Sequence, residues 1–303
     1  MKPLHTIFAT SALLCMVSQA PAQNDHGPTY ATPEEAAADP DFAIQGEYLR
    51  CGGGEGLQVI ALGKGQFRTV KLAGGLPGYY WDGKTKAATE GDTAQTQELL
   101  RGYTKVCRQS CTLGACPPCG AVVLFDGTKA SLDAHWREGA QMDDDGLLMP
   151  GVTSVEEYKD FYAHVEFRLP YMPEARDQAR GNSGYYVQGR YEVQMLDSFG
   201  LEGEDNECGG IYKVARPDVN MCLPPLTWQT YDVEFTAVRF NEAGEKTEPA
   251  HAKVWHNGVL IHDRDLAMTP SGTYPDEKDN PGPVFLQNHG NPVRYRNIWV
   301  LPR

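Results

Sequence analysis

The sequence predicts an all-β protein: a jelly-roll β-sandwich preceded by a small domain of β-hairpins. Three observations carry this. The stretch FYAHVEFRL alternates cleanly, with Phe161, Ala163, Val165, Phe167 and Leu169 on one face and Tyr162, His164, Glu166 and Arg168 on the other. Similar runs follow: WQTYDVEFTAVRF, GPVFLQNHG, RYRNIWVL, and AKVWHNGVLIHD, in which Asn257-Gly258 is a two-residue hairpin signal. Between 122 and 303 no stretch keeps a helical period, and many short strands without a long helix indicate a sandwich.

The chain opens with Lys2, an apolar run from Ile7 to Val17 and Ala20-Pro21-Ala22. This reads as a secretory signal cut after Ala22, since a span of about 20 apolar residues would be needed to cross a bilayer. The protein is therefore expected to be exported, either periplasmic or secreted, with no membrane insertion. Residues 23 to 40 read as a flexible lead. Residues 41 to 104 alternate short strands (LQVIAL, FRTVKL) with glycine turns, giving a small β domain expected to lean on its neighbour. The formal charge is -13, with no basic cluster, which argues against nucleic acid and anionic membranes as partners.

Export gives meaning to the cysteines. Cys208 and Cys222 bracket a short loop and are expected to form a disulfide. Residues 105 to 121 form a linker with Cys107-x3-Cys111-x4-Cys116-x2-Cys119, whose spacing suits two disulfides better than the paired motifs of structural zinc. Cys51 is left over. Residues 122 to 303 then form the sandwich.

On YEVQMLDS, Tyr191, Val193 and Met195 point one way, Glu192 and Gln194 the other. A bulge at Met195-Leu196 would bring Asp197 onto the polar side. The spacing Glu192-x-Gln194-x-x-Asp197 resembles the Glu-x-Asp-x-x-Glu strand of laminarinase-type glycosidases, although Gln194 replaces an acid. Arg168, the loop Arg180 to Gly184 with Asn182, the pair Gln287 and His289, and the pair Arg294 and Arg296 add groups able to orient hydroxyls and move protons. Tyr185, Tyr186 and Trp255 could serve as sugar platforms.

In combination, VVLFDGTKASLDAHW, RGNSGYYVQGRYEVQMLDSFG, CGGIY, VWHNGVLIHD and VFLQNHGNPVRYRNIWV resemble the 3-keto-disaccharide hydrolase family, the 3-keto-glucoside 1,2-lyase/3-keto-2-hydroxyglucal hydratase domains. The likeness runs in order over about residues 122 to 303. It implies a concanavalin A-like jelly roll and a reaction on 3-keto-glucosides: C2-H abstraction, loss of the C1 aglycone, and hydration of the glucal. Carried onto this chain, it implies His289, Glu192 and Asp197 as acid/base groups. Arg168, Asn182, Gln194, Gln287, Arg296 and Tyr186 would bind substrate. Glu192, Asp197 and His289 could also hold a divalent cation (Ca, Mn or Zn); no organic cofactor is expected. A sugar 3-oxidoreductase must supply the substrate. Two other readings stay open: a lectin-like binding module, and a conventional glycoside hydrolase using Glu192 and Asp197.

Overall fold

The computed structural model describes residues 26–274 and 276–303; the expected leader, residues 1 to 22, lies outside them. From His26 onward the segment read as a flexible lead is ordered. Tyr30 and Tyr171 exchange two backbone hydrogen bonds of 3.0 Å, and the short helices α1 (Pro33–Ala36) and α2 (Pro40–Ile44) follow. The reason is local: Thr32 and Glu35 form a capping box ahead of Pro33, and Asp39 caps the second helix ahead of Pro40.

The small domain is one antiparallel sheet. Its strands are β1 (Gly46–Arg50), β2 (Gly54–Gly63), β3 (Gln66–Gly74), β4 (Lys86–Asp92) and β5 (Tyr103–Val106), in the order β4-β3-β2-β1-β5. A two-turn helix, α3 (Thr93–Leu99), is capped by Asp92. The sheet packs against the rest of the chain. Ile60, Val70 and Leu72 share one core with Phe199 and Met221, while Tyr48, Leu57 and Phe67 share another with Tyr171 and Leu226.

Residues 107 to 115 then lie against the outer face of the larger sheet of the sandwich. Thr112 Oγ1 donates to Asp232 (2.7 Å), Gly114 N to Glu166 (2.6 Å), and Trp299 Nε1 and Asn297 to Ala115 O. Hydrogen bonds, rather than disulfides, pin this linker: Cys107, Cys111, Cys116 and Cys119 are exposed thiols, as is Cys51. The expected Cys208–Cys222 bridge is likewise not formed. Both are buried thiols; Cys208 Sγ is 3.2 Å from Tyr231 Oη and Cys222 Sγ contacts the carbonyls of Leu196 and Leu223.

The sandwich comprises β6 (Val122–Phe125), β7 (Val152–Tyr158), β8 (Phe161–Arg168), β9 (Ser183–Val187), β10 (Tyr191–Met195), β11 (Trp228–Thr236), β12 (Arg239–Phe240), β13 (Lys246–Glu248), β14 (His251–His256), β15 (Val259–Asp265), β16 (Gly282–Leu286) and β17 (Arg294–Pro302). A four-stranded sheet, β10-β9-β16-β7, faces a six-stranded one, β15-β14-β11-β8-β17-β6; β12 and β13 pair apart. Alternate residues fill the space between: Tyr185, Val193 and Leu286 from the small sheet, Val165, Phe167 and Val233 from the large one. Asn257 and Gly258 both take positive φ (52° and 81°), as the hairpin signal requires. One helix, α4 (Lys129–His135), has no signal in the sequence pattern, because two turns capped by Thr128 are too short to show a period. Among the described residues no helix is long and apolar enough to cross a membrane.

Candidate active site

The outward face of the four-stranded sheet carries the polar row. Glu192 stands opposite Tyr186, and Gln194 opposite Gly184. Gln287 N donates to Gly184 O (3.0 Å), which extends the row onto the end of β16. Glu192 is only 2% exposed. Its carboxyl accepts from Ser271 Oγ and from the Tyr186 hydroxyl, and Tyr186 Oη in turn accepts from Gln287 Nε2 at 2.9 Å. Burial raises the Glu192 acid above the ordinary carboxyl range, against the opposing pull of the two hydroxyls. Gly184 is what makes room: a Cβ there would lie 2.4 Å from Glu192 Oε1 and 2.9 Å from the Tyr186 ring.

Asn182 and Gln194 border the same face through one shared group. Gln178 Oε1 accepts from Gln194 Nε2 (3.0 Å) and from Asn182 Nδ2 (3.3 Å). Gln194 is spent on bracing, since its Oε1 also accepts from Met195 N. Asn182 is not: its Oδ1 is buried without a hydrogen-bond partner. A buried acceptor in that state can take a hydrogen bond from a ligand or a water molecule. His289 lies on the loop beyond β16, which is tied to β9 by Gln287 N and, through Asn291 Oδ1, by Asn182 N (2.7 Å). The imidazole is exposed at this rim.

Three expected residues lie elsewhere. Pairing of β10 with β9 is regular through Met195, so there is no bulge at Met195-Leu196; the chain instead turns tightly, with Ser198 N donating to Leu196 O at 2.7 Å. Asp197 consequently faces Arg180, whose Nε donates to it at 2.7 Å, while the guanidinium also reaches Ala61 O in the small domain. The acid therefore fastens the two domains together. Arg168 and Arg296 sit on the outer face of the six-stranded sheet, both stacked on Trp228 at 5.1 and 4.1 Å, with Arg296 also held by Glu166 at 2.7 Å. They alternate with the core residues Phe167 and Tyr295, which directs them away from Glu192.

A divalent cation does not fit the expected donor set. Asp197 is committed to Arg180 and Phe199 N, Glu192 to Ser271 and Tyr186, and His289 is on the exposed rim. Among the described residues no three His, Cys, Asp or Glu side chains gather to hold a metal. The sequence reading missed Ser271, which lies 79 residues from Glu192 with no local pattern to mark it. It also missed a buried cluster outside the site: His164, fully buried on the outer face of β8, lies 2.7 Å from Asp232 and 3.6 Å from Glu166.

Residues 120–301 match the 3-keto-alpha-glucoside-1,2-lyase-like domain family. The chain belongs to this family. A crystal structure from Parabacteroides distasonis, described as a "putative glycosyl hydrolase", is 31% identical with a TM-score of 0.55, covering 61% of this chain and 85% of its own. A second from the same organism, described in the same words, is 19% identical with a TM-score of 0.42, over 61% and 94% of the two chains. No curated protein matches. Family and first neighbour together identify a carbohydrate-active enzyme on a jelly-roll fold.

Proposed function

We propose that the protein cleaves 3-keto-glucosides by elimination and hydration, after export, and that a sugar 3-oxidoreductase supplies its substrate. A ketone at C3 acidifies the C2 hydrogen, so a base can remove it and the C1–oxygen bond then breaks. In this reading His289, exposed at the rim, takes the C2 proton. Glu192, whose acid burial raises above the ordinary carboxyl range, gives its proton to the departing aglycone oxygen. Water then adds to the glucal: its hydroxide goes to C1, its proton restores Glu192, and the His289 proton returns to C2. Asn182 Oδ1 accepts from a sugar hydroxyl. No step is routed through a metal.

The observation that supports this most is the buried Glu192 acid, linked through Tyr186 to Gln287 on one sheet face. A conventional glycosidase needs a second carboxylate facing the same bond, and Asp197 is engaged by Arg180 instead. The test is incubation with a 3-keto-glucoside and with its unoxidised parent. Cleavage of the keto substrate alone is expected, abolished by His289→Ala and by Glu192→Gln in proteins that melt normally. Cleavage of the plain glucoside at a similar rate, or full activity of either variant, would overturn the proposal.

A further inference from the structure

The described residues between β15 and β16 form a strap against the turn that leads into β10, and their anchorage is more elaborate than a surface loop requires. Arg190, 1% exposed at the start of β10, donates to Asp276 O (3.0 Å), Asn280 Oδ1 (2.8 Å) and Gln188 Oε1 (3.1 Å), and its guanidinium lies 5.2 Å from the Tyr274 ring. Thr269 donates twice to Arg190 O, and Thr273 N donates to Gly189 O at 2.8 Å. Gly189 takes φ +65°, and a Cβ there would lie 2.6 Å from Tyr274 and 2.7 Å from Thr273. The strap therefore sits as close to the turn between β9 and β10 as backbone geometry permits. From this strap Ser271 donates to Glu192 Oε2.

We propose that Ser271 is a positioning residue, held over the site by the Arg190 anchor so that its hydroxyl fixes the Glu192 carboxyl. This rests on the reading of Glu192 as the site's proton donor. The other groups around Glu192 do not duplicate the contact. Tyr186 donates from β9, and burial raises its phenol so that it stays neutral. Tyr212, beside it, gives its amide to Glu192 O at 3.0 Å. The strap's acids point elsewhere: Glu277 binds Tyr191 and Lys246, Asp276 binds Lys278, and Asp279 binds Lys159.

A donor to a carboxylate favours the ionised form, so removing it raises the pH at which the acid gives up its proton. Ser271→Ala is therefore expected to move the alkaline limb of kcat/KM on a 3-keto-glucoside upward by about one pH unit, since one unit corresponds to the loss of a single hydrogen bond. The same displacement is expected in the carbon-13 titration of the Glu192 carboxyl, assigned with Glu192→Gln. The titration needs no turnover. If the protein is inactive on keto sugars, the proposed reaction fails while the carboxyl shift still decides the role of Ser271. Unchanged Glu192 titration in Ser271→Ala, or a downward move, would overturn it. Arg190→Lys, which cannot hold Asn280, Asp276 and Gln188 together, should reproduce the upward shift; a wild-type titration in that variant would refute the anchor.

Discussion

Gly184→Ala tests the site with a single carbon. The added Cβ would lie 2.4 Å from Glu192 Oε1, 3.0 Å from Glu192 Cδ and 2.9 Å from Tyr186 Cε2, where ordinary contact begins at 3.4 Å. Gly184 does not lie in the left-handed region, so alanine meets no backbone strain there, and in a strand it relieves glycine's entropic cost by roughly 0.5–1 kcal/mol. Against this stands overpacking, about 1–3 kcal/mol. The stability change should thus be small, at most about 2.5 kcal/mol destabilising, with folding retained. The carboxyl has to move by about 1 Å, and misplacement on that scale costs on the order of 10²-fold in rate. The assay is kcat/KM on a 3-keto-glucoside, with thermal melting as the control for folding. A folded Gly184→Ala protein within about twofold of wild-type activity would refute the claim that Glu192, as placed here, takes part in the reaction.

Further expectations concern the scaffold. Arg180→Met leaves Asp197 buried without its partner and cuts the tie to Ala61 O, so urea unfolding should show a loss of about 3–5 kcal/mol. His256 and His262 are buried and depressed to about 3 and about 4, so below pH ~6.5 the unfolded chain takes up protons that the folded one refuses. Stability should therefore fall as pH drops through that window, and less steeply in His256→Gln. His164 is raised by Asp232 and Glu166 against its burial; its contribution is complete below pH ~6.5 and is lost as pH rises through the raised value, a loss that His164→Gln should remove from the melting profile. Native-state alkylation read by mass spectrometry should label Cys51, Cys107, Cys111, Cys116 and Cys119 and spare Cys208 and Cys222 until the protein is unfolded.

The sandwich was legible because its strands alternate so plainly. Phe161 to Leu169 and Tyr191 to Met195 divide by face as read, and Asn257-Gly258 turns the hairpin it announces. Glu192, Tyr186 and Gln287 share one face for the same reason, period two along paired strands. Asp197 was misplaced because its position depended on a bulge, and whether a strand bulges or stops is decided by tertiary partners, here Arg180 and the small domain. Arg168 and Arg296 were on the polar side of their strands as read, but a sandwich has two outer faces, and a sequence does not say which sheet a strand joins. Nothing local marks Ser271 or the contacts of Thr112 and Gly114 with Asp232 and Glu166, since these link segments far apart in the chain.

The central claim is elimination followed by hydration, and the most direct measurement is turnover of a 3-keto-glucoside in heavy water, with early product examined by mass spectrometry. In the proposed reaction the C2 hydrogen is removed and later replaced by way of His289, whose exposure lets its proton exchange with solvent. The account predicts one carbon-bound deuterium, at C2, in the 3-keto-glucose released, and none in unreacted substrate beyond a control without enzyme. Product that retains its original C2 hydrogen would mean that the C1 bond breaks without C2 abstraction, and would contradict the account.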